Sequence, residues 1–260
     1  MIKRNALIAA LGLAAFALAP SANAIVVNLA NSNEGTINGA IFQFTQPQPT
    51  GTGVINPFLR LHGTGNQGFE QGYNTSGRPV PMDQITDPNF TRNITFSDLQ
   101  STTVALNGTE YFRILLDVNE PGGNKSLITL DSLQLYTSPQ GSQTTSNVAT
   151  LGTLRYNLDL GGNNSVIIDA ARNNGSGSGD VYIYIPTANF AGTAPTDFVY
   201  LYAAFGSADG DATGGFEEFA LVRNITPIPE LNALFPIVGL MVAVGSTHIL
   251  RRRRMAKMSV

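Results

Sequence analysis

Val181-Tyr182-Ile183-Tyr184-Ile185 has no polar gap and consists wholly of strong β-formers. Such a run is too short for a buried helix and suits a central strand covered on both faces. Tyr111-Phe112-Arg113-Ile114-Leu115-Leu116 reads in the same way. Working outward from these two, apolar residues recur in short runs broken by turn signals. The spacing predicts strands over Ile25–Ala30, Ala40–Thr45, Phe58–His62, Asn93–Phe96, Thr102–Leu106 and Glu110–Val118. It also predicts them over Ser126–Tyr136, Thr153–Leu158, Ser165–Ala170, Asp180–Ile185, Phe198–Phe205 and Phe216–Val222. Pro121-Gly122-Gly123-Asn124 and Asn173-Asn174-Gly175-Ser176-Gly177-Ser178-Gly179 are turn and loop chemistry. Only Thr187–Ala191 hints at a helical turn, and Gly63 to Asp98 reads as a long polar loop. The expected fold is all-β, a two-layer antiparallel sandwich of jelly-roll type. No repeat of fixed period points to a solenoid or propeller.

The two ends carry a different signal. Lys3 and Arg4 precede a run of about 14 residues, Ala6 to Ala19, that only Gly12 interrupts. Pro20-Ser21-Ala22-Asn23-Ala24 follows. A charged start, an apolar run and a small-x-small site are the parts of a secretory signal. The run falls short of the ~20 residues that span a bilayer. Cleavage is expected after Ala24, with Ala22 and Ala24 as the recognition pair and signal peptidase as the enzyme. Residues 1–24 are therefore signal peptide, 25–226 the β-domain and 227–260 a tail.

Leu231 to Leu250 in that tail contains no formally charged residue, and at ~1.5 Å per residue its ~30 Å matches the hydrocarbon core. Arg251, Arg252, Arg253 and Arg254 follow directly. A basic cluster after a span holds that side in the cytoplasm, so the preceding chain faces outward. The expectation is an exported domain flanked by an N-terminal signal helix and a C-terminal transmembrane helix.

Pro227-Ile228-Pro229-Glu230, an apolar span and a terminal arginine cluster, in that order, resemble the PEP-CTERM class of sorting signals. Leu231 stands where that class has a second proline. The resemblance implies recognition by an exosortase-like membrane enzyme and cleavage near Pro229 and Glu230. The implied place of work is the cell surface or an extracellular matrix, with exopolysaccharide as an implied partner. The middle of the chain is also similar to exported domains found beside such signals. The residues are Gly53 to Arg60 with Gly72 to Thr75, Leu115 to Glu120 with Leu130 to Tyr136, Gly175 to Asp180, and Gly215 to Phe219. That likeness implies a type of protein, not a reaction.

Ile25 to Glu230 contains all 18 acidic residues but only 8 of the 15 basic ones, a net charge of −10 hidden by the whole-chain value of −3. An acidic domain is a poor partner for nucleic acid and a good one for divalent cations. The absence of cysteine removes thiol nucleophiles, disulfides and cysteine-based zinc or iron–sulfur sites.

Catalytic patterns are thin, and the expectation is a non-enzymatic protein. The domain has one histidine, His62. Gly175-Ser176-Gly177-Ser178-Gly179 has the letters of a nucleophile elbow but lies in a loop before a strand. Gly63-Thr64-Gly65-Asn66-Gln67-Gly68 matches a dinucleotide pattern but lacks the following helix. Glu217 and Glu218 are adjacent on a strand and point to opposite faces, which speaks against a facing glycosidase pair.

Calcium is the most reasonable chemistry, since hard cations take several oxygens from flexible loops. Asp209, Asp211 and Glu217, around Gly214-Gly215, are the favoured ligand set. Asp117, Asn119, Glu120 and Asp131 are a second oxygen-rich group. Sugar binding would use tyrosine faces, with Tyr182/Tyr184 and Tyr200/Tyr202 as same-face pairs. The leading expectation is a structural or adhesive surface protein. A calcium-stabilised carbohydrate-binding module is the first alternative and a glycoside hydrolase the second.

Overall fold

The computed structural model describes residues 23–45, 56–63, 68–120, 126–173, 179–206 and 215–222. Asp209, Asp211, Ala22, Pro227, Pro229, Glu230 and Arg251 to Arg254 lie outside the described residues, as do both expected terminal helices. Among the described residues no helix is long and apolar enough to cross a membrane.

The chain forms strands β1 (Val26–Asn28), β2 (Glu34–Ile37), β3 (Ala40–Phe44), β4 (Pro57–Leu61) and β5 (Glu70–Tyr73). Then come β6 (Ile94–Thr95), helix α1 (Phe96–Gln100), β7 (Thr103–Leu106), β8 (Thr109–Val118) and β9 (Leu127–Ser138). The series ends with β10 (Thr153–Asn157), β11 (Ser165–Asp169), β12 (Val181–Pro186), β13 (Phe198–Phe205) and β14 (Glu217–Leu221). They make two sheets. One runs β1-β11-β9-β13-β5, with β10 on β9 and β6 on β13. The other runs β2-β3-β12-β8-β14-β4, with β7 on β8. Every ladder is antiparallel except β1 with β11, which is parallel.

Period-two alternation explains the layering. On β12, Val181, Ile183 and Ile185 turn inward and are buried. On β13, Val199, Leu201, Ala203 and Phe205 do the same from the other sheet. The two inner faces share one core, in which Phe205 and Phe219 meet across the layers at 6.0 Å between ring centroids. The strand read as central is central: β12 lies between β3 and β8.

Two hairpins close through Asn-Gly. Asn38 and Gly39 have φ of 50° and 83°, and Asn107 and Gly108 have 50° and 82°. Positive φ at both residues gives the turn whose twist matches the flanking strands.

The expected loop from Gly63 to Asp98 contains β5, β6 and the start of α1. The strand expected to run through Phe96 stops at Thr95. That residue instead caps α1, in a capping box with Asp98. Its hydroxyl satisfies an orphan N–H of the first turn, so the chain turns helical there. The helical turn hinted at after Pro186 is a single 3-10 turn, Thr187–Phe190.

Candidate functional site: buried carboxylates at one end of the sandwich

Strands β4 and β8 end, and β12 and β14 begin, at the same end of their sheet. In the other sheet β5 begins and β13 ends there. Five carboxylates at this end are buried: Glu217 is 0 % exposed, Glu70 1 %, Asp180 2 %, Asp117 4 % and Glu120 8 %. No lysine or arginine is buried with them among the described residues. An ionised carboxylate out of water is costly unless it is paired, protonated or bound to a metal.

Two of the five lie on the inward faces of opposite sheets. Glu217 pairs with Leu61 on one side and Val118 on the other, so its side chain shares their inward face. Glu70 pairs with Phe205, on the inward face of the opposite sheet. The Gly63 N–H donates to Glu70 Oε2 at 2.6 Å. Glu70 Oε1 and both oxygens of Glu217 have no hydrogen-bond partner. Burial is the main cause that pushes the Glu70 carboxyl up, to about 7. The Gly63 bond opposes it, and the charges of Glu120 and Asp83 add to it.

The other group lies where β8 and β12 meet. Asp117 follows the Leu116–Val181 pair on one strand and Asp180 precedes it on the other. The Val118 N–H donates to Asp180 Oδ2 at 2.8 Å, replacing a ladder bond. Burial pushes the Asp180 carboxyl up to about 8, against the Val118 bond, and the neighbouring Asp117 raises it further. Asn173 stands beside this pair. Its Nδ2 donates to the carbonyls of Thr45 at 2.8 Å and Gly179 at 2.9 Å.

The sequence-derived candidates fare unevenly. Of Asp209, Asp211 and Glu217, only Glu217 is described, and it is a core-facing carboxylate rather than part of an open loop. Gly215, read as a calcium-loop glycine, has a plainer reason. A Cβ there would lie 1.7 Å from the Asn119 carbonyl oxygen, so no side chain fits. Asp117 and Glu120 of the second group are buried at this end, but Asp131 is not with them. It lies on β9 in the other sheet, beside Asp159. Glu70, Asp180 and Asn173 were missed. Glu70 and Asn173 sit in stretches that read as loop and Asp180 opens an expected strand, and nothing local marks any of the three as buried. Among the described residues no three His, Cys, Asp or Glu side chains are grouped as a metal site.

Glu217 and Glu218 do point to opposite faces. Glu218 forms an ion pair with Arg60, whose guanidinium stacks on Phe90 at 3.4 Å and lies 5.0 Å from Phe216. His62 is tied as well. Its Nδ1 lies 2.8 Å from the Gly215 carbonyl oxygen, which can only accept, so Nδ1 carries the proton. Its ring packs on Phe216 at 4.7 Å. The segment after the Gly63–Gly68 pattern is strand β5, not the helix a dinucleotide site needs.

The tyrosines are mostly internal. Tyr73, Tyr136, Tyr200 and Tyr202 form a second buried cluster with Leu151 and Ala204 on the outer face of the first sheet. The Tyr73 hydroxyl donates to the Thr145 carbonyl at 2.8 Å and that of Tyr200 to Gln140 at 2.8 Å. The loop 139–151 is thus fastened over them. Tyr182 and Tyr184 are same-face neighbours at 6.1 Å. Tyr184 is buried, while Tyr182 is half-buried with Arg113 5.3 Å from its ring.

No protein-family model, no curated protein and no solved structure matches this chain.

Proposed function

We propose that this is an exported cell-surface or extracellular-matrix protein, a non-enzymatic structural or adhesive β-sandwich of jelly-roll type. Signal peptidase releases its N-terminus, and an exosortase-like enzyme processes the tail at Pro229-Glu230 while the apolar span and Arg251 to Arg254 hold it in the membrane. The observation that supports this reading is the span of the described strands. Among the described residues the first strand begins at Val26, two residues past Ala24, and the last ends at Leu221, six residues before Pro227. Cutting after Ala24 or at Pro229-Glu230 would therefore remove none of the described strands. The structural role is supported by the aromatic residues, which are spent on a second core and on fastening a loop.

The second reading, a calcium-stabilised carbohydrate-binding module, is favoured by Glu217, a fully buried carboxylate with two unpartnered oxygens. In that reading Asp209 and Asp211 complete its ligands and Tyr182 offers the sugar-stacking face.

Mass spectrometry of the protein from its native host tests the first reading. The expected ends are Ile25 and Pro229 or Glu230. A mature chain still carrying Arg251 to Arg254 would contradict tail processing. Exopolysaccharide binding abolished by Tyr182→Ala would favour the second reading.

A further inference from the structure

We infer that Asp117, Asp180 and Asn173 form a binding site for a divalent cation of the calcium class, separate from Glu217 and independent of the functional reading above. Three oxygen-bearing side chains from three segments of the chain meet at the joint between β8 and β12. Each is more than nine-tenths buried: Asp180 is 2 % exposed, Asp117 4 % and Asn173 7 %. Asp180 is hydrogen-bonded through its side chain to Asp117 and Asn173, an arrangement that holds a proton between the two carboxyls unless a cation takes its place.

Beside those contacts, two buried oxygens in this group accept no hydrogen bond. Asp180 Oδ2 takes the Val118 N–H, but Asp180 Oδ1 has no hydrogen-bond partner. Asn173 Oδ1 has none either. Its amide cannot simply be turned round, because Nδ2 already donates to two carbonyls. A reversed amide would set oxygen against oxygen. The unsatisfied acceptor is therefore built into the site, and buried acceptors without donors are rare in native proteins.

The chemistry of the set selects the ion. Two carboxylates and an amide oxygen are hard ligands, with no sulfur or imidazole among them, which disfavours zinc and copper. Calcium accepts carboxylate, amide and backbone oxygens together with water in a tolerant shell of six to eight, whereas magnesium demands a near-ideal octahedron. Two carboxylates also match the charge of one divalent cation.

The test is calcium titration of the full-length chelator-treated protein by calorimetry, with thermal unfolding in about 1 mM calcium and in chelator. Asp180→Asn, Asp117→Asn and Glu217→Gln are compared with wild type. Asp180→Asn retains an oxygen for the Val118 N–H and cannot ionise in its buried place. It should therefore fold in chelator with a Tm at or above wild type. The expected result is calcium binding to wild type and to Glu217→Gln, with affinity at least about tenfold weaker in both Asp variants. Calcium should correspondingly raise the Tm of wild type more than that of Asp180→Asn. Wild-type affinity in both Asp variants, or loss confined to Glu217→Gln, would overturn the assignment. So would a wild-type protein that binds no calcium.

Discussion

In chelator, the stability of this protein is expected to fall as pH rises from about 4 to about 8. Two buried carboxyls set the sign. Glu70 has its folded-state pKa raised from 4.5 to about 7, and Asp180 from 3.8 to about 8. Between those values the folded chain holds protons that the unfolded chain has released. Stability therefore declines with pH through that window and levels off above it. Glu70 is faced by Glu120, Asp83 and the Gly63 N–H; Asp180 is faced by Asp117, Asn173 and the Val118 N–H. A tenfold difference in proton affinity between the folded and unfolded chain corresponds to ~1.4 kcal/mol, so the two groups together are worth several kcal/mol, a large part of an ordinary domain's stability. Urea unfolding at a series of pH values measures this directly. Calcium should flatten the upper part of the curve, because an ion at Asp117 and Asp180 takes the place of the proton. A profile flat between pH 4 and 8 in chelator would mean that these carboxyls are not held away from water.

Phe219→Ala is expected to cost about 3–5 kcal/mol, the range for removing a large aromatic from a packed core. Phe219 is 0 % exposed and meets Phe205 of the other sheet. It also stands two residues from Glu217 on the same inward face, so it separates the aliphatic core from the acid-rich end. Removing it leaves a cavity between two layers that rigid ladders keep apart, so collapse around the gap is limited. The urea midpoint is the measurement. A loss under about 1 kcal/mol would show that the two inner faces do not interlock as described.

The parts of the fold legible in the sequence are those where local chemistry and burial agree. Val181–Ile185 is β-forming with no polar gap, so its centrality follows from composition alone. Phe198–Phe205 reads as a strand for the same reason, and the structure gives those same limits. Strand β2 was missed because Glu34-Gly35-Thr36-Ile37 carries little β-propensity. Its signal lay in the following Asn38-Gly39, which closes a hairpin whatever the strand contains. Strand β5 was missed because Glu70-Gln71-Gly72-Tyr73 is polar, and it is placed by pairing with β13 rather than by its own preference. Phe96 was drawn into a strand because Thr95 suits one, and its role as a cap depends on Asp98 three residues on.

The site was less legible than the fold. Alternation correctly put Glu217 and Glu218 on opposite faces, but it cannot say which face is covered. Asp180 and Asp117 lie more than sixty positions apart and become neighbours only through the β8–β12 register. Glu70 and Glu120 likewise meet only when the two sheets close. Sequence supplies the inventory of acids and the net charge, and topology decides which of them share a buried place.

The central claim is that one end of this sandwich buries carboxyls whose charge is neutralised by a proton or a cation. Carboxyl-carbon NMR titration of the protein in chelator tests it most directly. The account predicts midpoints of about 7 for Glu70 and about 8 for Asp180, with calcium moving the Asp180 midpoint down. Midpoints for both at or below about 4.5, in the ordinary carboxylate range, would contradict it.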